Sequence, residues 1–131
     1  MDNSEKKILV AEDESSLREM LVMVLQDENY QVDEAADGSE AWELLKSNHY
    51  DLLATDLYMP QMNGIELIQA CHESFPNIKT ILFSGGGRDF EGENGSKSIK
   101  FKDQEVKVST FLKKPCNLNE LLATIEKLLT D

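Results

Sequence analysis

Several short apolar runs in this 131-residue chain end in side chains that can do chemistry. These side chains, with the runs that precede them, are Glu12 and Asp13 after 8–11, Asp56 after 52–55, Ser84 after 81–83, and Lys114 shortly after 110–112. If the runs are parallel strands, their carboxyl ends share one edge of a sheet, where a ligand site is expected. Clustered carboxylates repel one another unless a cation lies among them, and Mg²⁺ prefers such oxygen ligands. The spacing therefore predicts a Mg²⁺ site at that edge.

The same residue types can support phosphoryl transfer. A carboxylate can attack phosphorus and form an aspartyl phosphate. The step mainly requires positioning of the reactants and neutralised charge on the phosphoryl oxygens. Mg²⁺ held by the acids of the first strand would neutralise one oxygen, the Lys114 ammonium a second, and the Ser84 hydroxyl would bond the third. We interpret this combination as a switch in which the added charge of the phosphate is the signal.

Each of these residues also has an ordinary structural interpretation. An acid that follows a strand often caps the next helix. Ser84 precedes Gly85 and can start a turn, and a Lys-Pro pair such as Lys114 and Pro115 is usually part of a surface loop. The functional hypothesis therefore depends on the convergence of all these residues, and their convergence depends on the fold.

Apolar periodicity indicates the elements that would position these residues. The apolar runs are typical of strands buried on both sides of a sheet, and residues 30–36 alternate weakly, as an edge strand does. Helical stripes lie between the runs. The predicted helices begin at Ser16 with Glu19 as its capping-box partner, at Ser39, at Asn63 with Glu66, and at Asn117 with Glu120. Alternating strands and helices predict an α/β fold, a doubly wound parallel sheet covered by helices on both faces.

Composition limits the possible function classes. With 40% hydrophobic and 29% charged residues, the chain is typical of one globular domain, predicted over residues 1–131. It has no signal peptide and no apolar run near the ~20 residues of a membrane span, so we expect no membrane partner. Cys71 and Cys116 are predicted to be unpaired thiols of a reduced, cytoplasmic protein. The net charge of −12 argues against direct nucleic-acid binding.

Four segments carry a resemblance to a known family, namely ILVAEDE (8–14), LLATDLYMPQMNG (52–64), TILFSGGG (80–87) and TFLKKP (110–115). Together they resemble the receiver domain of two-component response regulators. The resemblance implies a flavodoxin-like, five-stranded parallel sheet of order 2-1-3-4-5. It also implies a phosphorylation-dependent signalling module, expected to be stand-alone and not an enzyme. Such a module accepts a phosphoryl group from a histidine kinase or a histidine phosphotransfer protein and acts on a downstream protein.

The resemblance assigns the phosphoryl-transfer roles to particular acids. Asp56 is the expected phosphoacceptor. Asp13 and Asp56 are expected to bind Mg²⁺ directly, and Glu12 to bind it through water. The backbone carbonyl of Tyr58 completes the protein ligands that the resemblance implies.

Further roles fall on the ends of the fourth and fifth strands of the predicted sheet. Ser84 matches the switch hydroxyl of the family. Lys114, rather than Lys113, matches the active-site lysine because it directly precedes Pro115, which is expected to follow a cis peptide bond. Phe111 matches the aromatic residue of the fifth strand that changes rotamer with phosphorylation.

The stretch between Ser84 and Lys114 departs from the family pattern, because these residues are 30 positions apart. We expect a short, displaced or absent fourth helix here, since residues 98–102 alternate with the period of a strand. The standard dimer face is therefore in doubt, and a monomer or weak dimer is expected. We also expect few apolar contacts to anchor this stretch. Residues 86–107 are then either a partner-binding switch, whose lysines (Lys97, Lys100 and Lys102) meet an acidic partner, or a passive insertion.

Two functions from other classes remain open on the residues alone. A small phosphatase with an aspartyl-phosphate intermediate would use a related sheet, but its usual second acid is missing from Asp56-Leu57-Tyr58. A flavin- or nucleotide-binding module could cradle phosphate with Gly85, Gly86 and Gly87. That triplet lacks the GxGxxG pattern of a dinucleotide-binding loop.

Overall fold

A computed structural model describes residues 3–85, 90–115 and 117–130 of the chain. Its central sheet has five parallel strands, in the order β2-β1-β3-β4-β8. The strands are β1 (Lys7–Ala11), β2 (Gln31–Ala35), β3 (Leu52–Asp56), β4 (Lys79–Ser84) and β8 (Thr110–Lys113). Because β8 takes the fifth position, the predicted order 2-1-3-4-5 is confirmed.

Helices cover both faces of this sheet. They are α1 (Ser15–Asp27), α2 (Gly38–Ser47), α3 (Gly64–Ser74) and α4 (Leu118–Thr130). Successive strand residues point to opposite faces, so Leu9 and Leu53 pack with α2 and α3, whereas Ile8 and Leu52 pack with α1 and α4. Both faces of the inner strands are buried, which explains their continuous apolar runs. None of the described helices is long and apolar enough to cross a bilayer.

The helix starts agree with the predicted caps except at α1 and α2. Asn63 and Glu66 form the predicted capping box of α3. The N-cap of helix α1 is Glu14, two residues before the predicted Ser16, and it makes no side-chain cap, so the predicted Ser16–Glu19 box is wrong. The Ser16 hydroxyl lies inside the first turn and donates to the Glu14 carboxylate instead.

The other two helix starts show side-chain caps of the ordinary kind. Helix α2 starts at Gly38 rather than Ser39, because the Asp37 carboxylate accepts the backbone N–H of Glu40. At α4 the Asn117 side chain accepts the backbone N–H of Glu120, as predicted. An oxygen that accepts an otherwise unpaired N–H of the first turn stabilises the start of a helix.

An antiparallel three-stranded sheet lies between β4 and β8 in the chain. Its strands are β5 (Phe90–Glu91), β6 (Ser98–Phe101) and β7 (Gln104–Lys107), in the order β5-β6-β7. The described part of this stretch contains no helix, which agrees with the expected short, displaced or absent fourth helix. We call residues 90–107 the insert; residues 86–89 of the predicted switch, and with them Gly86 and Gly87, lie outside the described residues, as does Cys116.

The insert is anchored by apolar contacts, so the expectation that few would hold it is wrong. Ile99 and Val106 are cross-strand partners in β6 and β7, and each is only 3% exposed. They belong to the same buried cluster as Val108 and Phe111, and the Phe90 ring lies 5.1 Å from the Phe111 ring. Alternation along two paired strands places their apolar residues on one face, and that face packs against the central domain.

The insert also covers the outer edge of β8. The Gly95 N–H donates to the Phe111 carbonyl at 2.7 Å, and the Phe111 N–H donates to the Ser96 carbonyl at 2.8 Å. The Lys113 N–H donates to the Asn94 side chain at 2.9 Å. These bonds satisfy backbone groups that an edge strand would otherwise expose.

Candidate functional site

The predicted acids meet at the carboxyl end of the parallel strands. Glu12 follows β1 and Asp56 ends β3, while Asp13 lies one residue beyond Glu12. Each of the three offers a carboxylate oxygen within 4.8 Å of the other two. Glu12 and Asp56 are buried, at 3% and 8% exposure, whereas Asp13 is exposed. The strand register, which aligns β1 with β3, brings these acids together.

Lys114 lies between the two buried carboxylates. Its Nζ is 2.9 Å from Glu12 Oε1 and 2.9 Å from Asp56 Oδ1. The Lys114 N–H also donates to the Ser84 carbonyl at 2.9 Å, which ties the end of β8 to the end of β4. The Lys114–Pro115 bond is cis, as predicted.

Burial and ion pairing shift the pKa of each of these groups in opposite directions. Burial raises the pKa of Glu12 and that of Asp56, although the Lys114 ammonium partly opposes this in both. Burial would lower the pKa of Lys114, but its hydrogen bonds to Asp56 and Glu12 outweigh this and raise it. Two carboxylates that share one ammonium, with a third carboxylate beside them, form a site of net negative charge. That charge and the oxygen donors fit a divalent cation.

The loop after β3 explains the glycine of the sequence motif. The Gly64 N–H donates to the Leu57 carbonyl at 2.8 Å, which closes the loop at the start of α3. A Cβ at Gly64 would lie 2.1 Å from the Asp56 carbonyl oxygen, so any side chain there would displace the Asp56 backbone. Gln61 takes a positive φ of 72° within the same loop.

Ser84 and Phe111 lie in the fourth and fifth strands of the central sheet, and Tyr58 lies in the loop after β3, as predicted. Ser84 is buried at the last position of β4, and Phe111 is fully buried in β8 beside it. Tyr58 is 46% exposed, two residues after Asp56. The ligand role of its carbonyl, the hydroxyl switch at Ser84 and the rotamer change of Phe111 stay predictions.

Two clefts open beside the acids. One, of about 410 Å³, lies along α1 and is mostly apolar; it is lined by Glu12, Glu14, Leu17, Met20, Leu21, Phe83, Lys114 and Pro115. The other, of about 460 Å³, lies between the loop after β3 and the insert; it is lined by Asp13, Tyr58, Met59, Pro60, Asn63, Phe101 and Lys102. The sequence predicted a strand at β6 but did not indicate that Phe101 and Lys102 line one cleft together with Asp13.

Comparison with known proteins identifies the family. Residues 8–126 match the model of the response regulator receiver domain. The chain is 32% identical over 124 residues to the response regulator receiver protein CpdR of Brucella abortus, covering 95% of this chain and 97% of CpdR. It is also 34% identical over 124 residues to the sensor kinase CckA of the same organism, covering 93% of this chain but 12% of CckA.

A solved structure supports the same assignment. The response regulator TrrA of Thermotoga maritima, determined in complex with Mg²⁺ and BeF, is 30% identical to this chain. The two structures match with a TM-score of 0.76 over 95% of this chain and 99% of TrrA. The chain therefore belongs to the response regulator receiver domain family, and it is a signalling module of two-component phosphorelay.

Proposed function

We propose that this receiver accepts a phosphoryl group on Asp56 and that the resulting charge alters a partner-binding face. The observation that carries the proposal is the position of Asp56. It ends a central strand, its carboxylate lies 2.9 Å from Lys114 Nζ, and oxygens of Glu12 and Asp13 lie within 4.8 Å. A nucleophile surrounded by a cation and metal-binding acids suits phosphoryl transfer.

The residues present fit a Mg²⁺ ion. Glu12, Asp13 and Asp56 would hold it, together with the Tyr58 carbonyl. When bound, the ion supplies positive charge next to the oxygens of the transferring phosphoryl group. The exposed Asp13 leaves this side of the site open to water, and Mg²⁺ in proteins usually keeps several waters as ligands.

The chain's own residues account for the transfer. A carboxylate oxygen of Asp56 attacks phosphorus, the P–N bond of a phosphohistidine donor breaks, and the departing imidazole takes up a proton. Lys114 Nζ lies 2.9 Å from Asp56 Oδ1, so its ammonium is within reach of a phosphoryl group on that oxygen. Lys114 bonds a phosphoryl oxygen while it stays paired with Glu12. The Ser84 hydroxyl then bonds another phosphoryl oxygen, and Phe111 in the neighbouring strand adjusts to that movement.

The phosphodonor partner is proposed to dock on α1. Met20 and Met23 are 40% and 61% exposed on this helix. Met20 lines the apolar cleft that Glu12 and Lys114 also line, so a protein seated there reaches the site. A phosphohistidine domain of a kinase or phosphotransfer protein fits this position. A cytoplasmic location agrees with such a partner and with the free thiol of Cys71.

The two other function classes lack a supporting observation. An aspartyl-phosphate phosphatase would need a second acid two residues after Asp56, where the exposed Tyr58 lies. A glycine cradle for a nucleotide would need Gly86 and Gly87, which lie outside the described residues. Membership of the receiver family favours a phosphorylation switch over both.

Intact-mass analysis after treatment with acetyl phosphate and Mg²⁺ tests the proposal. The wild type is expected to gain one phosphoryl group and Asp56→Asn none, while Asp13→Ala is expected to lose both Mg²⁺ binding and labelling. Asp27→Asn, which changes an exposed acid on α1, serves as the matched control and is expected to label like the wild type. Labelling of Asp56→Asn to the wild-type extent would contradict the assignment of Asp56.

A further inference from the structure

The tip of the hairpin between β6 and β7 has a defined shape. Phe101 and Gln104 are its last paired residues, so Lys102 and Asp103 form a two-residue loop. Their φ angles are 51° and 62°, which is the geometry of a type I′ turn. The turn type, together with the buried Ile99 and Val106 behind it, determines where Lys102 lies.

This tip reaches the loop that follows β3. The Phe101 ring lies 6.3 Å from the Tyr58 ring, edge to face at 67°. Lys102 Nζ in turn lies 5.2 Å from the centre of the Phe101 ring. Phe101 and Lys102 thus line the 460 Å³ cleft together with Asp13 and Tyr58.

The net negative charge around this cleft opposes the approach of an anionic phosphodonor. Three carboxylates converge at the site, and Lys114 is already paired with two of them. An anionic phosphodonor that approaches this site meets net repulsion, in a chain whose net charge is −12. Lys102 is the only cation among the described residues that line this cleft.

We propose that Phe101 and Lys102 are an outer wall of the phosphorylation site and that the Lys102 ammonium attracts the anionic phosphodonor to Asp56. This inference rests on the function proposed above and adds a specificity-determining residue to it. Phe101 holds the wall in place through its contact with Tyr58. Lys102 acts by charge across the cleft that it lines with Asp13, whereas Lys114 is the lysine that pairs with Asp56.

Charge removal without damage to the turn tests this role. Lys102→Asn removes the ammonium, and asparagine tolerates the positive φ of this turn position. Lys102→Arg keeps the charge. Lys107→Gln removes a charge from the exposed β7 residue that pairs with Ser98, outside the cleft, and is the matched control. The rate of labelling by acetyl phosphate is measured by intact mass at low and high ionic strength, and Mg²⁺ affinity is measured separately by calorimetry.

Lys102→Asn is expected to slow labelling about threefold to tenfold at low ionic strength, and most of this difference should disappear in ~0.5 M salt. Lys102→Arg and Lys107→Gln should label like the wild type. Mg²⁺ should bind Lys102→Asn about twofold more tightly, because the same ammonium that attracts an anion repels a cation. Opposite effects on the phosphodonor and on Mg²⁺ distinguish a charge effect from general damage to the site.

Other results overturn the inference. Equal labelling rates for Lys102→Asn and Lys107→Gln at low salt would show that Lys102 plays no part. A salt-independent loss accompanied by weaker Mg²⁺ binding would show that the turn has only a structural role. A wild type that takes up no phosphoryl group would remove the function proposed for Asp56, and this inference with it.

Discussion

Two nearly buried carboxylates share one ammonium at the proposed phosphorylation site. Lys114 Nζ lies 2.9 Å from both Glu12 and Asp56, and burial raises the pKa of each acid despite this pairing. The ammonium therefore has a structural as well as a chemical role, because without it two carboxylates would face each other in a partly desolvated site. A bound cation would relieve the same repulsion.

Lys114→Met is expected to lower the free energy of unfolding by about 1–3 kcal/mol in metal-free buffer, since it leaves buried carboxylates without their cation. Excess Mg²⁺ should restore more stability to this variant than to the wild type, because the metal replaces the missing positive charge. Denaturant unfolding with and without Mg²⁺ measures both effects.

Lys113→Met is the matched control for that experiment. Lys113 precedes Lys114 and is exposed, so its replacement should change stability by no more than ~0.5 kcal/mol. Equal destabilisation by the two variants would contradict the special position of Lys114.

Among the elements, α3 and β4 are joined by a small polar network near the amino-terminal end of β4. His72 Nε2 on α3 lies 3.3 Å from the Thr80 hydroxyl on β4. Thr80 and Ser109 exchange two further bonds, of 2.9 Å and 3.1 Å, between backbone N–H groups and side-chain oxygens. Because the Ser109 N–H already donates to the Thr80 oxygen, the Thr80 hydroxyl proton can go to a neutral His72 ring. Burial lowers the pKa of His72, which agrees with that arrangement.

This network predicts a pH dependence of stability. A histidine whose pKa is lower in the folded than in the unfolded state contributes stability that is complete above its unfolded pKa and is lost at lower pH. The free energy of unfolding should therefore fall as the pH drops below the ordinary histidine value of 6.5, until His72 itself is protonated in the folded state. His72→Gln should reduce this dependence between neutral pH and the acid limit.

His49→Gln provides the comparison, because the His49 side chain is 87% exposed. This variant keeps His72, so its free energy of unfolding should still fall as the pH drops below 6.5. If His72→Gln and the wild type lose stability in parallel over this pH range, the buried histidine is not the group responsible.

At the scale of the whole molecule, the insert contacts both Phe111 in β8 and the loop that follows β3. Its backbone forms hydrogen bonds with both the N–H and the carbonyl of Phe111. Its Phe90 ring packs on the Phe111 ring, and the Phe101 ring at its hairpin tip contacts the Tyr58 ring. If phosphorylation moves Phe111, as the sequence predicts, these contacts would carry that movement to the insert. That the insert is a partner-binding switch stays a prediction, but the switch would be an anchored sheet and not a loosely held loop.

Hydrogen–deuterium exchange with the beryllofluoride mimic and Mg²⁺ tests this prediction. The amides of Gly95 and Phe111, which bond across the edge of β8, should change their exchange rate by at least about threefold, because phosphate mimicry alters the opening of this contact. Strand β2, at the opposite edge of the sheet, is the internal reference. Unchanged exchange in 90–107 together with protection around Asp56 would favour the passive insertion.

Many of the strands and helices could be predicted because the pattern of apolar residues along the chain indicates them. Continuous apolar runs indicated the inner strands, weak alternation indicated the edge strand β2, and the family resemblance implied the strand order that the structure shows. The alternation at 98–102 correctly indicated β6. The cap of α1 could not be predicted from its residue types, because Ser16 has a suitable side chain but lies inside the helix. The anchoring of the insert was missed because β6 and β7 bury Ile99 and Val106 only after they have paired.

The sequence by itself determined which residue types stand at the strand ends. Glu12, Asp56 and Lys114 each come after an apolar run, and such a run can be recognised from neighbouring residues alone. The tertiary structure alone decided how these residues meet: the lysine bridges both buried acids, and Lys102 lines one cleft together with Asp13. Such contacts join segments far apart in the chain, and they depend on strand register, turn type and packing between two sheets. No local pattern encodes those long-range distances, because they exist only once the whole chain is folded.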